Sequence, residues 1–175
     1  IVHLGSLFRH NLRTKQQEVT LEEELDGLED YIYLQQMRFD GRITVEKKIE
    51  ADPAAVRLPS FTLQPIVENA FSHGLKSCEE GGRILLRGWM QGRTLILTVA
   101  DNGRGMTPAE LDALQEKIAQ SERTGRSIGL GNISRRITML YPEGRMQVFG
   151  REGHGTVIRF EIPQDDREED GSHEV

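Results

Sequence analysis

The sequence predicts an α+β domain, and three observations carry that prediction. Two alternating apolar runs, 83–91 and 93–100, flank Gly92 as the arms of a β-hairpin, and a second pair, Met146 to Arg151 and Thr156 to Ile162, flanks Glu152-Gly-His-Gly155. Before and between the pairs, apolar residues recur at i, i+3, i+4 and i+7, the period of a helix with one face on a core. A chain of 175 residues, 37% hydrophobic, can bury one core with a helical appendage.

Taken in order, Ile1, Leu4, Phe8 and Leu12 fall at helical spacing, and a polar joint follows from Thr14 to Gln17. Thr20-Leu-Glu-Glu23 is a capping box that starts a second, longer helix. Its stripe of Leu21, Leu25, Leu28, Ile32 and Phe39 ends before Asp40-Gly41. Near-heptad steps suit a helical hairpin or a second copy of the chain; the plainer alternative is that the helix covers its own domain. Ile43 to Ile49 alternates as a strand, and Asp52-Pro53 breaks it before a central helix enters at Pro59-Ser60.

In that central helix Leu63, Ile66, Val67, Ala70 and Phe71 form the buried stripe, with Pro65 near the first turn, where its missing N–H costs least. At 100° per residue, Thr62, Asn69 and His73 align on the flank of the stripe, half-sheltered. The Asn69 amide oxygen suits a hard cation such as Mg²⁺, which takes oxygen ligands and brings phosphates with it. Taken alone, the same residues fit a helix whose Asn and His cap neighbours or face water.

In the first hairpin Ile84, Leu86 and Met90 alternate with Leu85, Arg87 and Trp89, while Leu95, Leu97 and Val99 give the second arm its buried side. That arm runs into Asp101-Asn-Gly-Arg-Gly-Met106. Its plain reading is an Asn-Gly turn. Its chemical reading is that a carboxylate at a strand end accepts a hydrogen bond from an exocyclic amine, such as adenine's, while two glycines let a flat ring approach the backbone. Thr107-Pro-Ala-Glu110 opens a short helix, for which Leu111, Leu114 and Ile118 give only a thin apolar face. Gln120 to Arg126 offers nothing to bury, so 107–126 reads as a mobile cover. Ser127-Ile-Gly-Leu-Gly-Asn132 then starts a helix to Leu140 with Ile133, Ile137 and Leu140 inward, and glycines at a helix start bare amides that bind phosphate. His154 is read as exposed in its turn, and Pro163 closes the domain.

Composition narrows the function classes. The net charge is −6, but 164–175 holds six acids against Arg167 and so carries −5 of it. No basic stripe remains in the folded part, which argues against nucleic-acid binding, and the acidic run reads as a solvated tail. No apolar run approaches the roughly 18 residues that cross a bilayer. The lone Cys78 has no intrachain disulfide partner and reads as an exposed thiol in a loop. A first residue of Ile1 is expected of a fragment of a longer protein.

In chain order, Glu68-Asn69-Ala70 with His73-Gly74, Asp101-x-Gly103-x-Gly105, Gly129-Leu-Gly131 and Gly155-Thr156 resemble the N, G1, G2 and final-strand boxes of the GHKL ATP-binding fold. Within that superfamily the chain resembles sensor histidine kinases of the LytS/YesM type, through Val19-Thr-Leu-Glu-Glu-Glu-Leu25, Arg38-Phe39, Leu63-Gln-Pro65 and Glu68-Asn69-Ala70. The resemblance covers 1–163. It implies a two-layer α/β sandwich, a mixed sheet backed by three helices, with an N-terminal helical segment. Residues 1–39 would be the remnant of a dimerisation and linker region, 40–163 the catalytic domain and 164–175 the tail.

The resemblance further implies ATP and Mg²⁺ between the central helix and the mobile cover. Asn69 would coordinate the metal and Asp101 would bind the adenine amine. Gly103 and Gly105 would shape the base pocket with Met106 near the ring, Thr156 would lie behind the adenine, and Gly129, Leu130 and Gly131 would wrap the phosphates. His73 would reach a phosphate. Glu68 points to another side of the helix, and Ser72 stands where many relatives carry a basic residue. Phe8 to Lys15 resembles a phosphoacceptor box around His10, but Asn11 and Lys15 depart from it, so the phosphoacceptor is expected upstream of this fragment and His10 on a helix surface. The fragment would then bind ATP without phosphorylating itself, and the general base would lie beside that upstream histidine.

The implied setting is the cytoplasmic part of a membrane-anchored bacterial protein, a homodimer through its N-terminal helices, with no membrane contact by the fragment. Its partner would be the receiver domain of a response regulator. Two rivals remain: another GHKL ATPase or serine protein kinase of the anti-sigma-factor kind, which would lack the leading helices, and a non-catalytic nucleotide-binding interaction module.

Overall fold

The computed structural model describes residues 17–76, 78–124 and 129–164. The helix expected over 1–12 with its His10, the segment 125–128 and all of the acidic tail beyond Gln164 lie outside the described residues.

Strand β1 (Glu18–Thr20) leads directly into helix α1 (Leu21–Arg38). The capping box forms as predicted: Thr20 Oγ1 accepts from the Glu23 amide at 3.2 Å and Glu23 Oε2 accepts from the Thr20 amide at 3.0 Å. Leu21, Leu28 and Ile32 enter the domain's own core, Phe39 stacks on Phe71 with ring centroids 5.8 Å apart, and the helix ends where Asp40 and Gly41 turn left-handed. Tyr33, Leu34 and Met37 remain exposed on its other side. None of the described helices is long and apolar enough to cross a membrane.

Strand β2 (Ile43–Ile49) lies where its alternation predicts, but β3 (Arg57–Pro59) is not foreshadowed. It pairs antiparallel with β1, and three residues are too few to carry a period. Helix α2 (Leu63–Asn69) follows and continues into one π-helical turn, Ala70–Gly74, closed by the Leu75 amide on the Ala70 carbonyl at 2.8 Å. The predicted stripe Leu63, Ile66, Val67, Ala70 and Phe71 is buried throughout. Thr62 departs from the reading that set it on the half-sheltered flank. It is fully buried, and its hydroxyl donates to the Pro59 carbonyl at 2.6 Å, because it belongs to the turn before the helix and not to the helix surface.

Strands β4 (Gly82–Gln91), β5 (Thr94–Asp101), β6 (Arg145–Arg151) and β7 (Gly155–Pro163) complete a five-stranded sheet in the order β2-β4-β5-β7-β6. Strands β2 and β4 run parallel and the other neighbours antiparallel, so the sheet is mixed. Register and the two-residue side-chain period put Leu86, Val99, Ile158 and Val148 in one cross-strand row on the helix-facing side, with Asp101, Thr156 and Gly150 in the next. Helices α3 (Pro108–Thr124) and α4 (Leu130–Leu140) pack on each other and on β6, giving an α+β sandwich.

Several details differ from the sequence reading or go beyond it. Helix α3 continues through most of the stretch expected to bury nothing: Ser121 is buried with its hydroxyl on the Lys117 carbonyl at 2.7 Å, and Glu122 accepts from the buried Ser134 of α4. Small polar residues that bond within and between two helices leave no apolar signal. Met90, which shares the strand parity of the buried Ile84 and Leu86, is exposed beside the hairpin turn. On the outer face of the sheet Ile96 is buried opposite Trp89, whose ring lies 5.3 Å from the Arg87 guanidinium and 5.9 Å from that of Arg159, so arginine stems seal an apolar spot. Cys78 is half-buried, with Sγ donating to the Glu80 carbonyl at 3.2 Å.

Candidate functional site

One cavity of about 280 Å³ opens between α2, α3, α4 and the end of the sheet. Strand parity supplies its floor: Val99, Ile158 and Val148 give an apolar surface, and one step further along Asp101 and Thr156 face the same side. Asn69, from the last position of α2, and His73, from the π turn, line the same cavity, so the flank read from helical spacing does face a hollow. Gly105, Met106 and Leu130 also line it. Gly103, Gly129 and Gly131 do not: Gly103 packs against the Gly74 carbonyl, Gly129 is the cap of α4 with φ +72°, and Gly131 is buried inside that helix.

The loop after β5 is held so tightly that its glycines are obligatory. A Cβ on Gly103 would stand 2.0 Å from the Gly74 oxygen, and one on Gly105 1.9 Å from the Arg151 oxygen. The Arg104 amide donates to the Gly74 carbonyl at 3.0 Å while the Gly153 amide donates to the Arg104 carbonyl at 2.7 Å. This stitching ties the π turn, the β5 loop and the β6–β7 turn into one rim. Gly74 takes part for its own reason, since a side chain there would strike the Asp101 carboxylate at 2.8 Å. Sequence reasoning assigned no site role to Gly74, Arg104, Val148 or Ile158. The alternation of the last two was legible, but their position in one row depends on register.

Among the described residues Asp101 is the one carboxylate lining this cavity. Its Oδ1 accepts from the Gly103 amide at 2.9 Å. Burial pushes its carboxyl above the ordinary carboxylate value, and the amides of Gly103 and Thr156 oppose that shift. A carboxyl with a raised native value holds its proton more tightly when folded. It therefore favours folding at low pH, and that contribution is lost as pH climbs from the ordinary 3.8 through the raised value. Asp101→Asn removes this titration. Urea titrations without nucleotide should find that the stability of the wild type relative to the variant falls across that window.

Glu68 lies on the far side of α2, where Gln64 donates to it at 2.9 Å. Burial first, and the Glu68 charge second, push the Tyr31 hydroxyl up to about 12, which places Glu68 toward α1 and away from the cavity. Among the described residues no group of three or more His, Cys, Asp or Glu side chains is placed to hold a metal. A hard cation at Asn69 would have to complete its shell with oxygens brought by a ligand, as Mg²⁺ does with phosphates.

Residues 60–166 match the family model of the histidine kinase-, DNA gyrase B- and HSP90-like ATPases. The chain belongs to this ATPase family. Residues 1–43 match a histidine kinase model as well. Sensor protein LytS of Streptococcus agalactiae is 33% identical over 97% of this chain and 29% of its own length. Sensor histidine kinase YpdA of Escherichia coli is 33% identical over 93% of this chain and 28% of its own. The chain thus spans under a third of the length of these relatives. The catalytic domain of histidine kinase ThkA superposes with a TM-score of 0.58 at 21% identity, covering 84% of this chain and 94% of that one, and so shares the fold. Within the ATPase family, then, this chain is similar over nearly all its length to part of two sensor histidine kinases.

Proposed function

We propose that the domain binds ATP with Mg²⁺ and transfers the γ-phosphoryl group to a histidine outside the described residues, for relay to the receiver domain of a response regulator. The observation that carries this reading is the presence of Asp101 and Asn69 in one cavity that apolar side chains also line. The Asp101 carboxylate accepts the exocyclic amine of adenine, and Gly105 and Met106 border the ring. Thr156, paired with Asp101 across β5 and β7, lies beside it. Asn69 and His73 meet the phosphates together with the start of α4, whose N-cap Gly129 has no side chain of its own and whose dipole favours an anion. Bound Mg²⁺ supplies positive charge against the charge that develops on the phosphates. The protein's own part is to hold the triphosphate in line for attack and to shield it under α3, since transfer of this kind rests on positioning and electrostatics.

The similarity to LytS and YpdA supports a histidine as acceptor, a homodimer through the N-terminal segment, and a setting in a membrane-anchored sensor, with this domain on the cytoplasmic side. The capped helix α1 favours that reading over other GHKL kinases, and the intact Asn69 and Asp101 in one cavity favour it over a non-catalytic module.

Titration calorimetry tests the site. Mg²⁺-ATP should bind, and Mg²⁺-GTP should bind at least about tenfold more weakly, because guanine presents a carbonyl oxygen where adenine presents the amine and two acceptors cannot pair. Equal affinities, or no binding of ATP, would overturn the assignment of Asp101.

A further inference from the structure

We propose that Glu24 and Arg136 are positioning residues for the phosphate end of the nucleotide site, and that through them the placement of α1 sets the affinity for Mg²⁺-ATP; this rests on the nucleotide-binding reading above. Glu24 lies on α1, yet its buried carboxylate serves another element. It accepts from the amides of Phe61, Thr62 and Leu63 at 2.6, 3.0 and 2.9 Å. These are amides at the start of α2, which a helix cannot satisfy from within. No local side chain does so, because the Thr62 hydroxyl is turned to Pro59. The cap of the Asn69 helix is thereby delegated to a different helix.

Arg136, on α4, grips the same turn from the other side. Its guanidinium donates to the Ser60 carbonyl and, at 2.8 Å, to the Phe61 carbonyl. Between the two side chains Phe61 is held at φ +57°, a conformation unfavourable for a residue with a Cβ. Burial disfavours the Arg136 charge and the nearby Glu24 carboxylate supports it. One partly buried polar knot therefore joins α1, the start of α2 and α4. Asn69 ends α2 and Leu130 begins α4, so both cavity-lining residues hang from elements that this knot fixes. A shift of α1 along its axis would draw Glu24 off three amides, and a buried amide without an acceptor is costly enough that the turn must follow.

The test compares Glu24→Gln, Arg136→Lys and the double variant with the wild type by titration with Mg²⁺-ATP and, separately, adenosine, well below each apo melting midpoint. A glutamine in place of Glu24 would offer one neutral oxygen to three amides, and a lysine in place of Arg136 cannot fork to two carbonyls. Each single variant should weaken Mg²⁺-ATP binding about tenfold, with a combined loss smaller than the product of the two. Adenosine affinity should stay within about twofold, because the base end of the site is fixed by β5 and β7. Should Glu24→Gln fail to fold, Arg136→Lys carries the comparison alone. Unchanged Mg²⁺-ATP affinity with a lowered melting point would reduce both residues to structural supports and overturn the proposal, as would equal losses for adenosine and ATP. Failure of the wild type to bind either ligand would instead remove the nucleotide reading, and this proposal with it.

Discussion

Asp101→Asn should abolish the rise in melting temperature that Mg²⁺-ATP gives the wild-type domain. At a hundredfold over Kd a ligand adds about 2.7 kcal/mol to stability, worth roughly 5–10 °C in a domain of this size. The carboxylate can meet two demands at once, accepting backbone amides, among them Gly103 at 2.9 Å, and still offering an oxygen to the cavity. An asparagine has a single oxygen. If that oxygen stays with the amides, the NH₂ group turns toward the adenine amine, donor against donor, in a partly desolvated place. The substitution barely changes volume, so the apo protein should remain folded and the loss will be legible as binding. A variant that shifts as far as the wild type would show that Asp101 is not the base-recognition group.

Gly105→Ala should destabilise the domain by about 3–5 kcal/mol, whereas Gly92→Ala should cost only about 1 kcal/mol. The two glycines have nearly the same backbone, φ +64° and +61°. Their surroundings decide the outcome. A Cβ at Gly92 meets nothing within 4 Å, while at Gly105 it would lie 1.9 Å from the Arg151 oxygen and 2.9 Å from the Gly155 oxygen. No side chain can yield there, because both obstacles are backbone. The β5 loop must move, and its bonds to Gly74 and Gly153 carry the movement to both sides of the cavity. Urea unfolding measures the stabilities. Similar losses in the two variants would mean that the left-handed backbone, and not the packing, is what these glycines serve.

Much of this molecule was legible beforehand wherever one residue's role depends on its neighbours in sequence. The capping box at Thr20, the stripe from Leu63 to Phe71, the hairpin about Gly92 and the alternation in β7 are local patterns, and each forms as read. The flank carrying Asn69 and His73 was also local, and helical spacing sufficed to bring both to the cavity. What escaped depends on contacts between distant segments. The β1–β3 pairing is too short for a period, and the length of α3 rests on Ser121, which bonds within the helix, and on Glu122, which accepts from Ser134 of α4. Gly74 looks like a helix end until Asp101 arrives beside it. Glu24 reads as one of three acids in a first turn, and only the folded chain shows that it caps a different helix.

The pairing of Asp101 with Thr156 has a consequence for how the cavity is assembled during synthesis. Strands β4 and β5 can zip together as soon as they leave the ribosome, but Asp101 acquires its opposite residue only when β7, the last of the described strands, slots in beside β5. Nucleotide therefore cannot template the early chain. A polypeptide cut short in the β6–β7 turn lacks the buried Ile158, Phe160 and Ile162 as well as Thr156, and should neither complete its core nor respond to ATP.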